Sequence, residues 1–162
     1  MLKLVLIAAA CATLLAIIHS WTGDRIARNA SNYELKQITD LAGTPPPAGT
    51  TWTGDVWDFC GGTKLARSST PGYGGPIRLV VGVSQGRILG VRVTAHQETP
   101  GLADFLREPE RGWLALLKGR TGQEAVAVDA VTGATITSEA VTRAVREAMD
   151  RAHEASAEGC RA

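Results

Sequence analysis

No run of lysine and arginine occurs anywhere in this 162-residue chain, and its 17 basic residues face 16 acidic ones, for a net charge of +1. A nucleic-acid footprint needs clustered basic charge, so that class is disfavoured at the outset. Cysteine is scarce too. The three present show no CxxC spacing and no grouping with histidine, so neither a disulfide framework nor a metal site is expected. There is no phosphate-cradling P-loop, no GxGxxG and no Ser/His/Asp set. NTPase, dinucleotide-binding and hydrolase readings therefore lack support, and no catalytic residue is expected. What the chain does contain is an ordinary globular balance, 44% hydrophobic and 20% charged. That average hides a division, because the first twenty residues are almost wholly apolar.

Residues 2–18 read LKLVLIAAACATLLAII, with Lys3 as the only charge and Trp21 just beyond. Counted through Trp21, the run approaches the roughly 20 apolar residues of a membrane-spanning helix, and Trp21 suits an interfacial anchor. An uncleaved single-span anchor is the favoured reading. A cleavable signal is the competing one, although His19-Ser20-Trp21 makes a poor cleavage site. Lys3 before the span and Arg25 and Arg28 after it leave the positive-inside rule close to a tie.

Residues 24–41 carry Ile26, Ala30, Tyr33, Leu35 and Ile38 in a loose helical pattern, which predicts a short linker helix. Residues 43–49, GTPPPAG, end it, since consecutive prolines cannot continue a helix. Residues 51–70 read as irregular or edge-strand structure. The clearest β pattern is 77–83 (IRLVVGV) and 88–94 (ILGVRVT), joined by the four-residue connection Ser84-Gln85-Gly86-Arg87 as an antiparallel hairpin. Residues 113–118 predict a short helix closed by Gly119, and 125–131 (AVAVDAV) a further strand. From Ser138 onward, Ala140, Val141, Ala144, Val145, Ala148, Met149 and Ala152 mark an amphipathic helix. The fold class expected is α+β: one transmembrane helix, then a small domain with an antiparallel sheet and packed helices. The divisions are 1–21 for the anchor, 22–50 for the linker and 51–162 for the domain.

The segment richest in chemistry is 129–139, DAVTGATITSE. A strand is expected to run into Thr132-Gly133-Ala134-Thr135, with Thr137 or Ser138 capping the long helix. Helix N-termini offer free N–H groups and a positive dipole end, which favour phosphate. Gly133 permits tight backbone geometry and small Ala134 leaves room for a ligand. On spacing alone, an ordinary capped junction explains the segment as well as a phosphate site does.

Asp129-Ala-Val-Thr132-Gly133-Ala134-Thr135 resembles the D-x-x-(S/T)-G-A-(S/T) flavinylation motif. The resemblance implies one covalent FMN, joined by a phosphoester to Thr135. The installing enzyme would be a flavin transferase that uses FAD and releases AMP. Gly72-Tyr73-Gly74-Gly75-Pro76-Ile77, the hairpin, and His96-Gln97-Glu98-Thr99-Pro100-Gly101-Leu102 together resemble the G subunit of the Rnf complex, a membrane-bound, ion-translocating ferredoxin:NAD oxidoreductase. The resemblance runs over most of 72–150. It implies an electron-carrying subunit in a bacterial inner membrane, with its domain on the periplasmic side. Implied partners are the other Rnf subunits, notably the flavinylated membrane D subunit. It also implies that the 96–102 loop lies near the flavin.

Cofactor contacts are accordingly expected from Thr135, Thr132, Gly133, Ala134, Thr137, Ser138, Glu98, Thr99 and Leu102. Ala103 stands where the family usually has glycine, and 45–70 matches poorly. The related C subunit of the sodium-translocating NADH:quinone reductase shares the anchor and the attachment motif. A membrane-tethered assembly subunit without a redox centre is the alternative from another class. His96 is at least as compatible with loop bracing as with flavin tuning, and Tyr73 and Trp113 could stack on a flavin although aromatics in a small domain usually just pack. Cys60 and Cys160 would meet an oxidising compartment if the domain is periplasmic, so a disulfide between them is an open expectation.

Overall fold

The apolar N-terminal segment is helical. In the computed structural model, which describes residues 2–59 and 61–155, helix α1 runs unbroken over Leu2–Ala42. Its stretch Lys3–Ile26 is long and apolar enough to cross a bilayer, and Leu4, Ile7, Leu14, Leu15 and Trp21 along it are exposed. The separate linker helix expected after the span is instead the continuation of α1. Nothing in 19–28 breaks a helix strongly enough to interrupt it. The break comes at Gly43, which takes φ +71 and donates its N–H to Thr39 O at 2.9 Å, a glycine C-cap ahead of the prolines.

The chain divides into two compact units, Met1–Lys36 and Gln37–Ala162. The second unit is built on an antiparallel four-stranded sheet in the order β1 (Val56–Asp58), β2 (Thr63–Pro71), β3 (Pro76–Ser84) and β4 (Arg87–Ala95). The expected hairpin is β3–β4. Its two-residue turn places Gln85 at φ 51 and Gly86 at φ 72, the twist that matches paired strands. The 51–70 stretch supplies β1 and most of β2, so it is more regular than its sequence predicts.

Strand β3 is buried along most of its length rather than on alternate residues, because both faces of the sheet are covered. On one face Leu79, Val81 and Val91 pack with Ala140, Val141, Ala144, Val145 and Ala148 of helix α3 (Thr135–Glu154). On the other, Val80 and Leu65 pack with Trp57, Phe59, Ile38 and Leu41. The cross-strand pair Gly82 and Gly90 makes the notch for Leu41: a Cβ on Gly90 would stand 2.9 Å from Leu41 Cδ1. Arg67 lies 3.6 Å over the Trp52 ring at the edge of this second cluster.

The strand expected at 125–131 does not form. A short helix α2, Gly122–Val126, takes its first two residues, and the rest is an irregular approach to α3. A capping box decides this: Glu124 N–H donates to Thr121 Oγ1 at 3.3 Å, and Thr121 N–H to Glu124 Oε2 at 2.8 Å. The short helix expected near Trp113 is a 3₁₀ turn over Trp113–Leu117, followed by Gly119 at φ +77. Cys60 and Cys160, and so the question of their pairing, lie outside the described residues.

Candidate functional site

Helix α3 begins at Thr135, earlier than the expected cap at Thr137 or Ser138. The reason lies in the turn before it. Ala134 N–H donates to Val131 O at 2.9 Å, and Gly133 sits at the third position with φ +82, a backbone value glycine adopts without strain. Ser138 clips this turn from inside the helix. Its Oγ accepts Val131 N–H at 3.1 Å and donates to Ala134 O at 2.9 Å. Trp113 holds the approach to the turn, donating Nε1–H to Asp129 O at 2.7 Å while its ring meets Phe105 edge-on at 5.4 Å.

The hydroxyls crowding this turn therefore have different situations. Ser138 is 1% exposed and Thr137 4%, and both are engaged: Thr137 Oγ1 donates to Glu98 Oε2. Thr132 and Thr135 are exposed. Only Thr135 of these two borders a pocket of about 390 Å³, within the usual range of small-ligand sites. Gly133, Ala134, Thr135 and Ile136 form one wall, and Glu98, Thr99 and Leu102 from the 96–102 loop form another. Tyr73, exposed, stands at its edge. The pocket thus brings together Thr135, Gly133, Ala134, Thr137, Glu98, Thr99 and Leu102 of the expected contacts, and leaves Thr132 and Ser138 outside its lining.

Glu98 is the centre of this arrangement. Its side chain is buried, Oε1 accepts Gly74 N–H at 2.9 Å, and Oε2 takes the Thr137 hydroxyl. Its own N–H donates to His96 Nδ1 at 3.3 Å, so His96 braces the loop. The glycines of 72–75 make the approach possible. A Cβ on Gly72 would collide with Glu98 Oε1, one on Gly74 with the Gln97 carbonyl, and one on Gly75 would lie 2.7 Å from Gln97 Oε1. The role of these glycines, and the place of Ile136 and Ala103 in the pocket wall, go beyond what the sequence predicts. The density of glycine in 72–75 is the one local signal that points to them.

Burial is the largest influence on the Glu98 carboxyl and raises its pKa. The Thr137 hydroxyl and the N–H groups of Gly74, Tyr73 and Gly75 act the other way and together prevail, holding it below the ordinary 4.5. A depressed pKa contributes stability at higher pH and loses it as pH falls through the folded value. Urea midpoints of the wild type are expected to decline as pH drops below 4.5. Glu98→Gln is expected to lack that part of the decline. Parallel midpoint curves for the two proteins would show that Glu98 contributes nothing to it.

An α3 start without a side-chain cap, an exposed hydroxyl on its first residue and an apolar-walled pocket beside it form a place for an organic phosphate. Residues 72–150 match the FMN-binding domain family. The match takes in a little under half of this chain. The pocket and the α3 start both fall inside the matched residues. The chain is also similar to relatives named as the G subunit of an ion-translocating oxidoreductase complex. The one from Pseudomonas aeruginosa is 43% identical over 97 residues, covering 52% of this chain and 45% of the relative. Those from Vibrio cholerae (42% over 94 residues, 49% and 44% covered) and Shewanella oneidensis (39% over 90, 48% and 42% covered) agree with it. The chain spans a little under half the length of these curated relatives.

The residues present fit the group. The helix N–H donors suit its phosphate, and Leu102, Ile136 and Tyr73 suit an aromatic ring system.

Proposed function

We propose that this chain is an electron-carrying flavoprotein subunit of an Rnf-type ion-translocating oxidoreductase, with FMN held as a phosphoester on Thr135. The observation that carries the reading is that Thr135, alone among the hydroxyls of its turn, is both exposed and on the pocket. Residues 1–21 serve as the anchor, 22–50 as the linker and 51–162 as the flavin-carrying part on the periplasmic side. Its redox neighbours are the other complex subunits, the flavinylated membrane D subunit among them.

Attachment requires FAD and a flavin transferase. Thr135 Oγ attacks the FMN-side phosphorus, a new P–O ester bond forms, the pyrophosphate P–O bond breaks and AMP leaves. The hydroxyl proton passes to a base of the transferase. Bound FMN supplies one- and two-electron redox chemistry. The chain's own residues hold it. Thr135 tethers the phosphate, and the α3 N–H groups stabilise its charge. Gly133 and Ala134 leave it room, and Thr99 and Leu102 line the opposite wall. A tethered cofactor is not lost to the surroundings.

The test is production of the full chain with and without a flavin transferase. With the transferase, the intact mass rises by one FMN less one water, and the denatured band fluoresces. Purified in mild detergent from a host that makes the complex, the chain brings a second flavinylated membrane protein with it. A chain that never gains flavin is an assembly subunit instead. One that gains flavin but brings no redox subunit is a free-standing flavoprotein.

A further inference from the structure

Glu98 is a buried carboxylate whose hydrogen-bond donors among the described residues are uncharged, the Thr137 hydroxyl and the Gly74 N–H, with the N–H dipoles of Tyr73 and Gly75 adding to its stabilisation. Buried carboxylates are mostly paired with a charged group, and a neutral amide could bridge the same three segments. The dipoles stabilise the negative charge without cancelling it. Glu98 and Thr135 line the same pocket, so the field of the carboxylate acts on the space beside Thr135.

We infer that Glu98 is a positioning residue that also tunes the flavin: it fastens the 72–75 loop and the first turn of α3 to the 96–102 loop, and its fixed negative charge lowers the reduction potential of the FMN on Thr135. This rests on the flavoprotein reading above. Reduction adds electron density to the flavin, and a nearby anion opposes it. Loss of the charge makes the flavin easier to reduce.

The experiment compares full-length wild type, Glu98→Gln, Glu98→Asp and Thr137→Val, each produced with the flavin transferase and titrated potentiometrically. Glutamine fits the clasp, its carbonyl accepting Gly74 N–H and its amide donating to a Thr137 hydroxyl turned round as acceptor. Glu98→Gln is expected to raise the midpoint potential. Glu98→Asp and Thr137→Val disturb the clasp but keep the charge, and each is expected to shift it far less. An unchanged potential in Glu98→Gln overturns the inference. So does a shift in either charge-retaining variant as large as that in Glu98→Gln, because the clasp alone would then explain it. If Glu98→Gln fails to fold, the other two still decide, since a large upward shift in either one overturns a charge effect. A wild-type band without flavin fluorescence overturns the function reading itself, and it is seen before any titration begins.

Discussion

Thr135→Val is expected to abolish the covalent flavin completely and leave the fold intact. Thr135 is exposed on the first turn of α3. Valine matches its shape, so the stability change should stay within about 0.5 kcal/mol, as for most surface substitutions. The other hydroxyls cannot substitute. Ser138 is buried and clips the turn, Thr137 is buried and bonded to Glu98, and Thr132 lies off the pocket. Intact mass and in-gel fluorescence read the outcome, with urea unfolding as the control. Flavin remaining on Thr135→Val, mapped to Thr132, would overturn Thr135 as the acceptor. Thr135→Ser keeps the hydroxyl and is expected to retain the flavin.

Gly74→Ala is expected to destabilise the domain by about 3 kcal/mol, at the upper end for overpacking. The added methyl meets the Gln97 backbone carbonyl, and no side-chain rotation relieves a clash with backbone. Either the 72–75 loop or the 96–102 loop must move. Movement of either withdraws the Gly74 N–H from Glu98 Oε1. Glu98 then keeps its burial with fewer donors, and the wall facing Thr135 loses its register. Flavin attachment should fall along with stability. A Gly74→Ala protein with wild-type urea midpoint and full flavin occupancy would show that the close approach is dispensable. The contrast with Thr135→Val is diagnostic, since one removes flavin at constant stability and the other reduces both.

Much of the fold was legible because local signals agreed with the final packing. The hairpin announced itself through two β-branched runs about the 84–87 connection, which the strands shorten to Gln85-Gly86, and α3 through its apolar spacing from Ala140 to Ala152. Gly43 and the prolines placed the end of α1. The failures came where two local signals competed. AVAVDAV alternates like a strand, yet the Thr121–Glu124 capping box starts a helix just before it, and only Ala125 of the first pair becomes buried. Thr137 and Ser138 both offer a cap, and neither is used, because Thr137 turns to Glu98 and Ser138 turns back to hold Val131 and Ala134.

The candidate site shows the same division. Local chemistry in 129–135 allowed a phosphate at a helix start but equally an ordinary capped junction, and the resemblance to the flavinylation motif singled out Thr135. The pattern in 96–102 pointed to a second contributor. Nothing local could say that Glu98 would reach Thr137, 39 residues away, or Gly74, 24 residues away. Those contacts exist because the meander brings the β2–β3 turn and the loop after β4 to one end of the sheet, where α3 begins.

By itself, then, the sequence determined the apolar helix, the hairpin and the amphipathic helix, all of which depend on neighbours a few positions apart. Only the tertiary structure decided which hydroxyl stays free, why 72–75 must be glycine-rich and which carboxylate borders the pocket. These depend on burial and on hydrogen bonds between distant segments, and a hydroxyl's availability is settled by the partner it finds after the chain has packed.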